Sequence, residues 1–149
     1  MQPVDKKPHI LVIEDNPSDV ALLRYALAGA GLDCQLTIID DGGDALALFR
    51  REEAPAGRPV PDLAIVDLNL PKHGGLEILE QMRANRTFAQ VPLVVLSSST
   101  SSHERAKIEK FGIRRQIVKP VELQEFLKIG WIIKELLLES GTGDSTGSS

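Results

Sequence analysis

Five short apolar runs rich in branched side chains recur along the chain, with amphipathic stretches between them. They are HILVI at 9–13, CQLTII at 34–39, LAIV at 63–66, VPLVVL at 91–96 and RQIV at 115–118. None alternates cleanly between apolar and polar positions, the mark of strands covered on both faces. After the first run, Asn16-Pro17-Ser18-Asp19 opens a helix. Asn can cap it, Pro fits its first position, and Asp19 suits the positive end of its dipole. Val20, Leu23, Leu27 and Ala30 then recur at helical spacing, and Gly29 and Gly31 close the segment. Further helices are predicted over 45–51, 76–84 and 104–111, with a long last one over about 122–139. Strands alternating with helices imply an α/β fold, a doubly wound parallel sheet with helices on both faces and right-handed crossovers.

Residues 54–61, APAGRPVP, form a loop too short to divide domains. One domain over 1–140 is expected, followed by a disordered tail over 141–149 that has nothing apolar to bury. The last helix departs from the usual pattern. At about 100° per residue its apolar arc spans about 220°, against roughly 100° for a helix packed on one core. Leu123, Phe126, Leu127, Gly130, Leu137 and Leu138 make one face, flanked by Ile129, Ile133 and Leu136 and by Trp131, while Ile132 falls in the polar strip. A homodimer through this C-terminal helix is therefore expected, tested by light scattering of a chain cut after Gly130.

Bulk properties narrow the function classes. The chain has 149 residues, 42% of them hydrophobic, and a net charge of -4, so no nucleic-acid face is advertised. No apolar run reaches the roughly 20 residues of a membrane span. A single cysteine, Cys34, excludes an internal disulfide and reads as core packing; a cytoplasmic location follows as the default.

The chemistry lies where the strands stop. Glu14-Asp15, Asp67, Ser97 and Lys119 each follow an apolar run, and the carboxyl ends of parallel strands line the ligand crevice of such a sheet. Three carboxylates, a hydroxyl and an ammonium suit a divalent cation and a phosphoryl group. Asp67 is the candidate nucleophile, a carboxylate that can become an acyl phosphate. Magnesium takes one or two carboxylates with waters and phosphate oxygens. Asp15, Asp67 and the backbone carbonyl of Asn69 are its candidate ligands, with Glu14 holding a metal-bound water. Lys119 would pair with Asp67 at rest and with the phosphoryl oxygens afterwards, and Ser97 would donate to the same phosphate. Each residue alone has a bland account as cap, turn or surface group; the joint placement carries the argument.

The runs LVIEDNPSD, DLAIVDLNLP, VPLVVLSSS and IVKP, spread over about residues 9–130, resemble the receiver domain of two-component response regulators. The resemblance implies a flavodoxin-like (βα)5 fold with strand order 2-1-3-4-5. It also implies phosphoryl transfer to Asp67 from a phosphohistidine of a sensor histidine kinase, autodephosphorylation, and a cis Lys119–Pro120 bond. NPSDV and VKPVELQEF look most like small stand-alone receivers that serve bacterial phytochromes, so the output would be protein contact or phosphorelay. Gln116 stands where this family usually has a switch aromatic, and Gly74 where an Asp is more usual. Two other readings remain: a phosphatase or phosphotransferase acting on small substrates, which usually has a second acid where Asn69 stands, and a degenerate receiver serving only as a binding module.

Overall fold

A computed structural model describes residues 7–51, 60–70, 74–98 and 102–146, excluding the side chains of 102–104 and 140–146. Strands β1 (His9–Ile13), β2 (Gln35–Ile39), β3 (Leu63–Asp67), β4 (Leu93–Ser97) and β5 (Arg115–Val118) form one sheet in the order β2-β1-β3-β4-β5. All its pairings are parallel. Helices α1 (Pro17–Gly29), α2 (Gly42–Phe49), α3 (Gly75–Ala84), α4 (Ser102–Ile108) and α5 (Leu123–Thr146) alternate with the strands. The expected doubly wound sheet is the observed one.

Alternation along each strand divides the core in two. Ile10, Val12, Leu63, Ile65, Val94 and Leu96 face α1 and α5, where they meet Leu23, Leu27, Phe126, Ile129 and Ile133. Leu11, Ile13, Ala64, Val66, Leu93 and Val95 face the other layer and meet Phe49, Ile78, Leu79, Met82 and Ile108. The central strands β3 and β4 are buried along their whole length. This explains why their sequences carry no polar alternation.

Helix starts follow their caps. Asn16 accepts from the backbone N–H groups of Ser18 and Asp19, as its position before Pro17 predicts. Asp41 accepts from the Asp44 N–H at 3.0 Å, so α2 begins at Gly42. The Gly42-Gly43 pair, read as punctuation, lies inside the first turn. The fourth helix ends earlier than expected, tightening into a 3-10 turn at Glu109–Phe111 that Gly112 stops with φ of 68°.

Three expectations are corrected. Among the described residues no peptide bond is cis, so the Lys119–Pro120 bond is trans; its register is set instead by the Lys119 N–H, which donates to the Ser97 carbonyl at 2.8 Å. Helix α5 continues past Glu139 to Thr146, since adding residues to a formed helix costs far less than nucleating one. The predicted apolar arc of α5 is only partly covered, as expected, and the third correction is Ile132, read into the polar strip. Phe126, Ile129, Gly130, Ile133 and Leu136 are buried, Ile132 packs partly against the same core, and Leu123, Trp131 and Leu138 are exposed. Gly130 belongs to the covered side. A Cβ there would lie 2.0 Å from the Ala26 carbonyl oxygen, so α1 and α5 cross backbone to backbone at this point. The loop at 54–61 falls mostly outside the described residues, as do Pro71, Lys72, His73 and Ser99.

Candidate phosphoryl and metal site

The carboxyl ends of β1, β3 and β5 bring Glu14, Asp15, Asp67 and Lys119 together. Ligand oxygens of Glu14, Asp15 and Asp67 lie within 4.8 Å of one another. Asp67 is 2% exposed and Glu14 is fully buried. Register explains the meeting: β1 and β3 run side by side with Ile13 opposite Val66, so the residues that follow each strand emerge together.

Lys119 reaches into this cluster from the last strand. Its ammonium donates to Asp67 Oδ2 at 2.9 Å and to Asp19 Oδ2 at 2.8 Å. Glu14 Oε1 lies 3.0 Å away as an ion contact, off the hydrogen-bonding direction. The other Asp67 oxygen, Oδ1, accepts from the Asn69 N–H at 2.9 Å. Both oxygens of the buried carboxylate are thus oriented. The Asn69 side chain is occupied elsewhere, its Oδ1 accepting from the Ser98 N–H and hydroxyl at 2.8 and 3.0 Å. That leaves its backbone carbonyl as the ligand atom proposed from sequence.

Ser97 ends β4 and is fully buried. Its backbone adjoins Lys119, but alternation puts its side chain on the opposite pleat from Asp67, toward the α3 and α4 layer. Gln116 shares that pleat, two residues before its strand partner to Ser97, Val118. Its Nε2 is buried without a hydrogen-bond acceptor, so the amide that replaces the usual aromatic is held by nothing at that atom.

The electrostatics follow from burial and crowding. Burial, then hydrogen bonding and repulsion from Asp67, raise the Glu14 pKa to about 7, against a smaller lowering by Lys119. For Lys119, burial pulls the pKa down, but Asp19, Asp67 and Glu14 together hold the ammonium above its ordinary range. Two buried carboxylates, Glu14 and Asp67, with the partly exposed Asp15 beside them and one ammonium between, leave excess negative charge, the condition a hard divalent cation relieves. The all-oxygen donor set and its spacing fit such an ion.

Asp19 is the residue the sequence reading missed. A carboxylate in a first helical turn has a sufficient local explanation in the dipole, and that explanation hid a partner 100 residues away. Gly75 is needed for space rather than for φ: an added Cβ would lie 2.7 Å from the Leu68 Cα, just after Asp67. The residues read as bland have partners consistent with that. His9 Nε2 meets the Thr37 hydroxyl at 2.7 Å. Cys34 packs against the α1 and α5 core, and burial pushes its thiol pKa up.

Fold and site define a phosphoacceptor signalling domain. The family model for the response regulator receiver domain matches residues 10–129, and the chain belongs to that family. Among curated relatives, response regulator Rcp1 of Synechocystis sp. is 29% identical over 89% of this chain and 90% of its own. A solved structure of its Mn(2+)-bound form superposes with a TM-score of 0.75. The phosphorylated cyanobacterial phytochrome response regulator RcpA is 31% identical, covering 90% of this chain and 96% of its own, with a TM-score of 0.78. The bacteriophytochrome response regulator AtBRR is 32% identical, covering 83% and 89%, with a TM-score of 0.64. The chain is thus a response regulator receiver homologous to those of phytochromes. No helix among the described residues is long and apolar enough to cross a membrane.

Proposed function

We propose that this chain works in the cytoplasm, where Asp67 accepts a phosphoryl group from the phosphohistidine of a sensor histidine kinase, with magnesium as the working cation. The observation that carries this is one ammonium, Lys119 Nζ, within 3.0 Å of Asp67, Asp19 and Glu14 beside a carboxylate trio spaced for a metal. In the transfer an Asp67 oxygen bonds to phosphorus as the N–P bond of the donor breaks, and the imidazole leaves with the electron pair. Asn69 N–H fixes the rotation of the carboxylate, and Lys119 shifts from Oδ2 to the incoming phosphoryl oxygens. Asp15, Asp67 and the Asn69 carbonyl would hold magnesium, with Glu14 behind them; bound there, the ion neutralises charge on the transferring group. Ser97, at the end of β4, would donate its hydroxyl to the same phosphate. Water attack on the same phosphorus returns Asp67 to its carboxylate, which is the autodephosphorylation of this family.

The names of the phytochrome response regulator RcpA and the bacteriophytochrome response regulator AtBRR support a phytochrome-type kinase as the donor. A second copy of the chain is the partner best matched to α5, whose Leu123 and Trp131 are 51% and 56% exposed. Truncation after Gly130 would remove the buried Ile133 and Leu136 along with that surface. The sharper test of a dimer is Trp131→Glu, which should halve the mass measured by light scattering; an unchanged dimer mass, or a monomeric parent, refutes it.

Incubation with acetyl phosphate and Mg2+ tests the site. One hydroxylamine-sensitive phosphoryl group per chain is expected, lost in Asp67→Asn. Absence of label on the parent chain would favour a pure binding module. Repeated turnover of small phosphoesters would favour an enzyme.

A further inference from the structure

Of the three carboxylates that Lys119 contacts, Asp19 is the one outside the metal-spaced cluster. Asp19 is absent from the trio whose oxygens lie within ligand distance of one another. Its carboxylate is 20% exposed and the Lys119 side chain 17%, so the pair sits at the rim of the site rather than in its floor. Asp19 is also rigidly presented. It occupies the first turn of α1, where Asn16 Oδ1 accepts its N–H at 3.3 Å and Pro17 fixes the helix start. A cavity of about 230 Å³ opens beside it, lined in part by Leu22, Pro120, Val121 and Phe126. Its lining thus offers the ammonium no other charged anchor than Glu122.

The consequence concerns what Lys119 holds during transfer. At rest its ammonium hydrogen-bonds Asp67 and Asp19 and touches Glu14. Loading of the site engages the Asp67 and Glu14 oxygens and places a phosphoryl group where Lys119 must follow. Two of its three partners are then committed elsewhere. The four-carbon stem is flexible and loses rotamer freedom when fixed. Its root is pinned by the Lys119 N–H on the Ser97 carbonyl, 2.8 Å; its head needs a second fixed point.

We propose that Asp19 is a positioning residue for phosphoryl transfer, tethering Lys119 Nζ at the site rim while the ammonium exchanges an Asp67 oxygen for a phosphoryl oxygen. This rests on the reading of Asp67 as phosphoacceptor. Asp19 contacts neither the phosphoryl group nor the cation; it acts through Lys119 alone. Misplacing a catalytic group by an ångström costs up to about 100-fold, and partial loss of one of two anchors should cost about tenfold.

The experiment is single-turnover labelling of the full chain by acetyl phosphate with Mg2+, in which the P–O bond to acetate breaks, the Asp67 O–P bond forms and acetate departs with the electron pair. Asp19→Ala should slow labelling about tenfold. Asp19→Asn keeps an acceptor oxygen in place and should recover most of that rate. In a Lys119→Met background, Asp19→Ala should add no further loss, because the tethered group is gone. Mn2+ affinity measured by electron paramagnetic resonance should change less than threefold in Asp19→Ala, which a general collapse of the site would not allow. The proposal is overturned if Asp19→Ala labels at the parental rate or faster, which would make Asp19 a competitor for the lysine. It is equally overturned if Asp19→Asn is as slow as Asp19→Ala, or if the loss persists without Lys119. A parental chain that takes no label defeats the acceptor reading as well; a labelled parent with an indifferent Asp19→Ala defeats only the tether.

Discussion

Two cations, Lys119 and Arg83, serve opposite ends of the sheet in opposite ways. At the carboxyl end Lys119 is shared among carboxylates that carry more charge than it can neutralise. At the amino end, among the described residues, Arg83 donates to backbone carbonyls, those of Phe111 and Val91 at 2.8 Å, of Ala89 and Phe88 at 3.1 and 3.2 Å and of Gly112 at 3.5 Å. Those carbonyls belong to the segments leading into β4 and β5, so Arg83 ties off the two connections together. Nearby, Asn85 does similar work, donating to the Phe49 and Arg51 carbonyls at 2.9 Å. One end is saturated and neutral in its partners; the other holds charge in reserve. A cation bound to neutral dipoles has nothing to exchange for, whereas one bound to competing anions can be drawn to a new one.

The contrast breaks most visibly by removing each cation. Lys119→Met should lower single-turnover labelling of Asp67 by about 100-fold, with the protein still folded in Mg2+. Arg83→Met should do the reverse. It takes a shared donor from part-buried carbonyls and should cost about 3 kcal/mol in urea unfolding, while labelling per folded molecule stays at the parental rate. Equal effects of the two substitutions on labelling would dissolve the distinction.

A smaller effect separates proton from metal at the acidic end. Glu14 has a folded pKa of about 7, above its ordinary 4.5, chiefly through burial. Without metal the folded state keeps this proton longer than the unfolded chain. Stability should therefore fall as pH rises from about 4.5 to about 7, by about 1–3 kcal/mol once the opposing pull of Lys119 is allowed for. Divalent cation and proton compete for the site, so apparent Mg2+ affinity should climb by up to about tenfold per pH unit below 7 and level off above it. Titrations at pH 6 and 8 with equal affinities would contradict this. The Arg83 end should show no metal dependence in the same range.

The smallest test concerns the helix layer that carries Asp19. Gly130→Ala forces a methyl into the Ala26 carbonyl, and relief by shifting α5 should cost about 1–3 kcal/mol. Because the strain falls on α1 near its far end, labelling should change by less than about threefold. A larger kinetic loss would mean that the α1–α5 crossing sets the geometry of the site.

How much of this was readable beforehand follows from what kind of interaction each residue makes. β1 and β5 were bounded correctly because their apolar runs are flanked by sharp polar breaks at Glu14 and Lys119. The grouping of Glu14, Asp15, Asp67 and Lys119 was legible because parallel strands place their carboxyl ends together. Asp19 was not, because its place at the positive end of the α1 dipole is a sufficient local account of it. Arg83 was invisible because its partners are carbonyls, which every sequence position supplies. The apolar arc of α5 was legible from its spacing, but not which part of it the core covers: that depends on the approach of α1 at Gly130, which also draws Ile132 out of the polar strip. For Ser97, sequence gives the position on the strand but not which pleat the hydroxyl takes.

Trp131, the chain's only tryptophan, lies half exposed on the last helix with the Lys134 ammonium 5.2 Å from its ring centroid. That same ammonium donates to the Ala30 carbonyl at 2.9 Å, at the end of α1. The indole is therefore a built-in optical gauge of the seam between first and last helices. Its emission colour and quenching should register any partner that covers this face, or any slip of the two helices, in unlabelled protein.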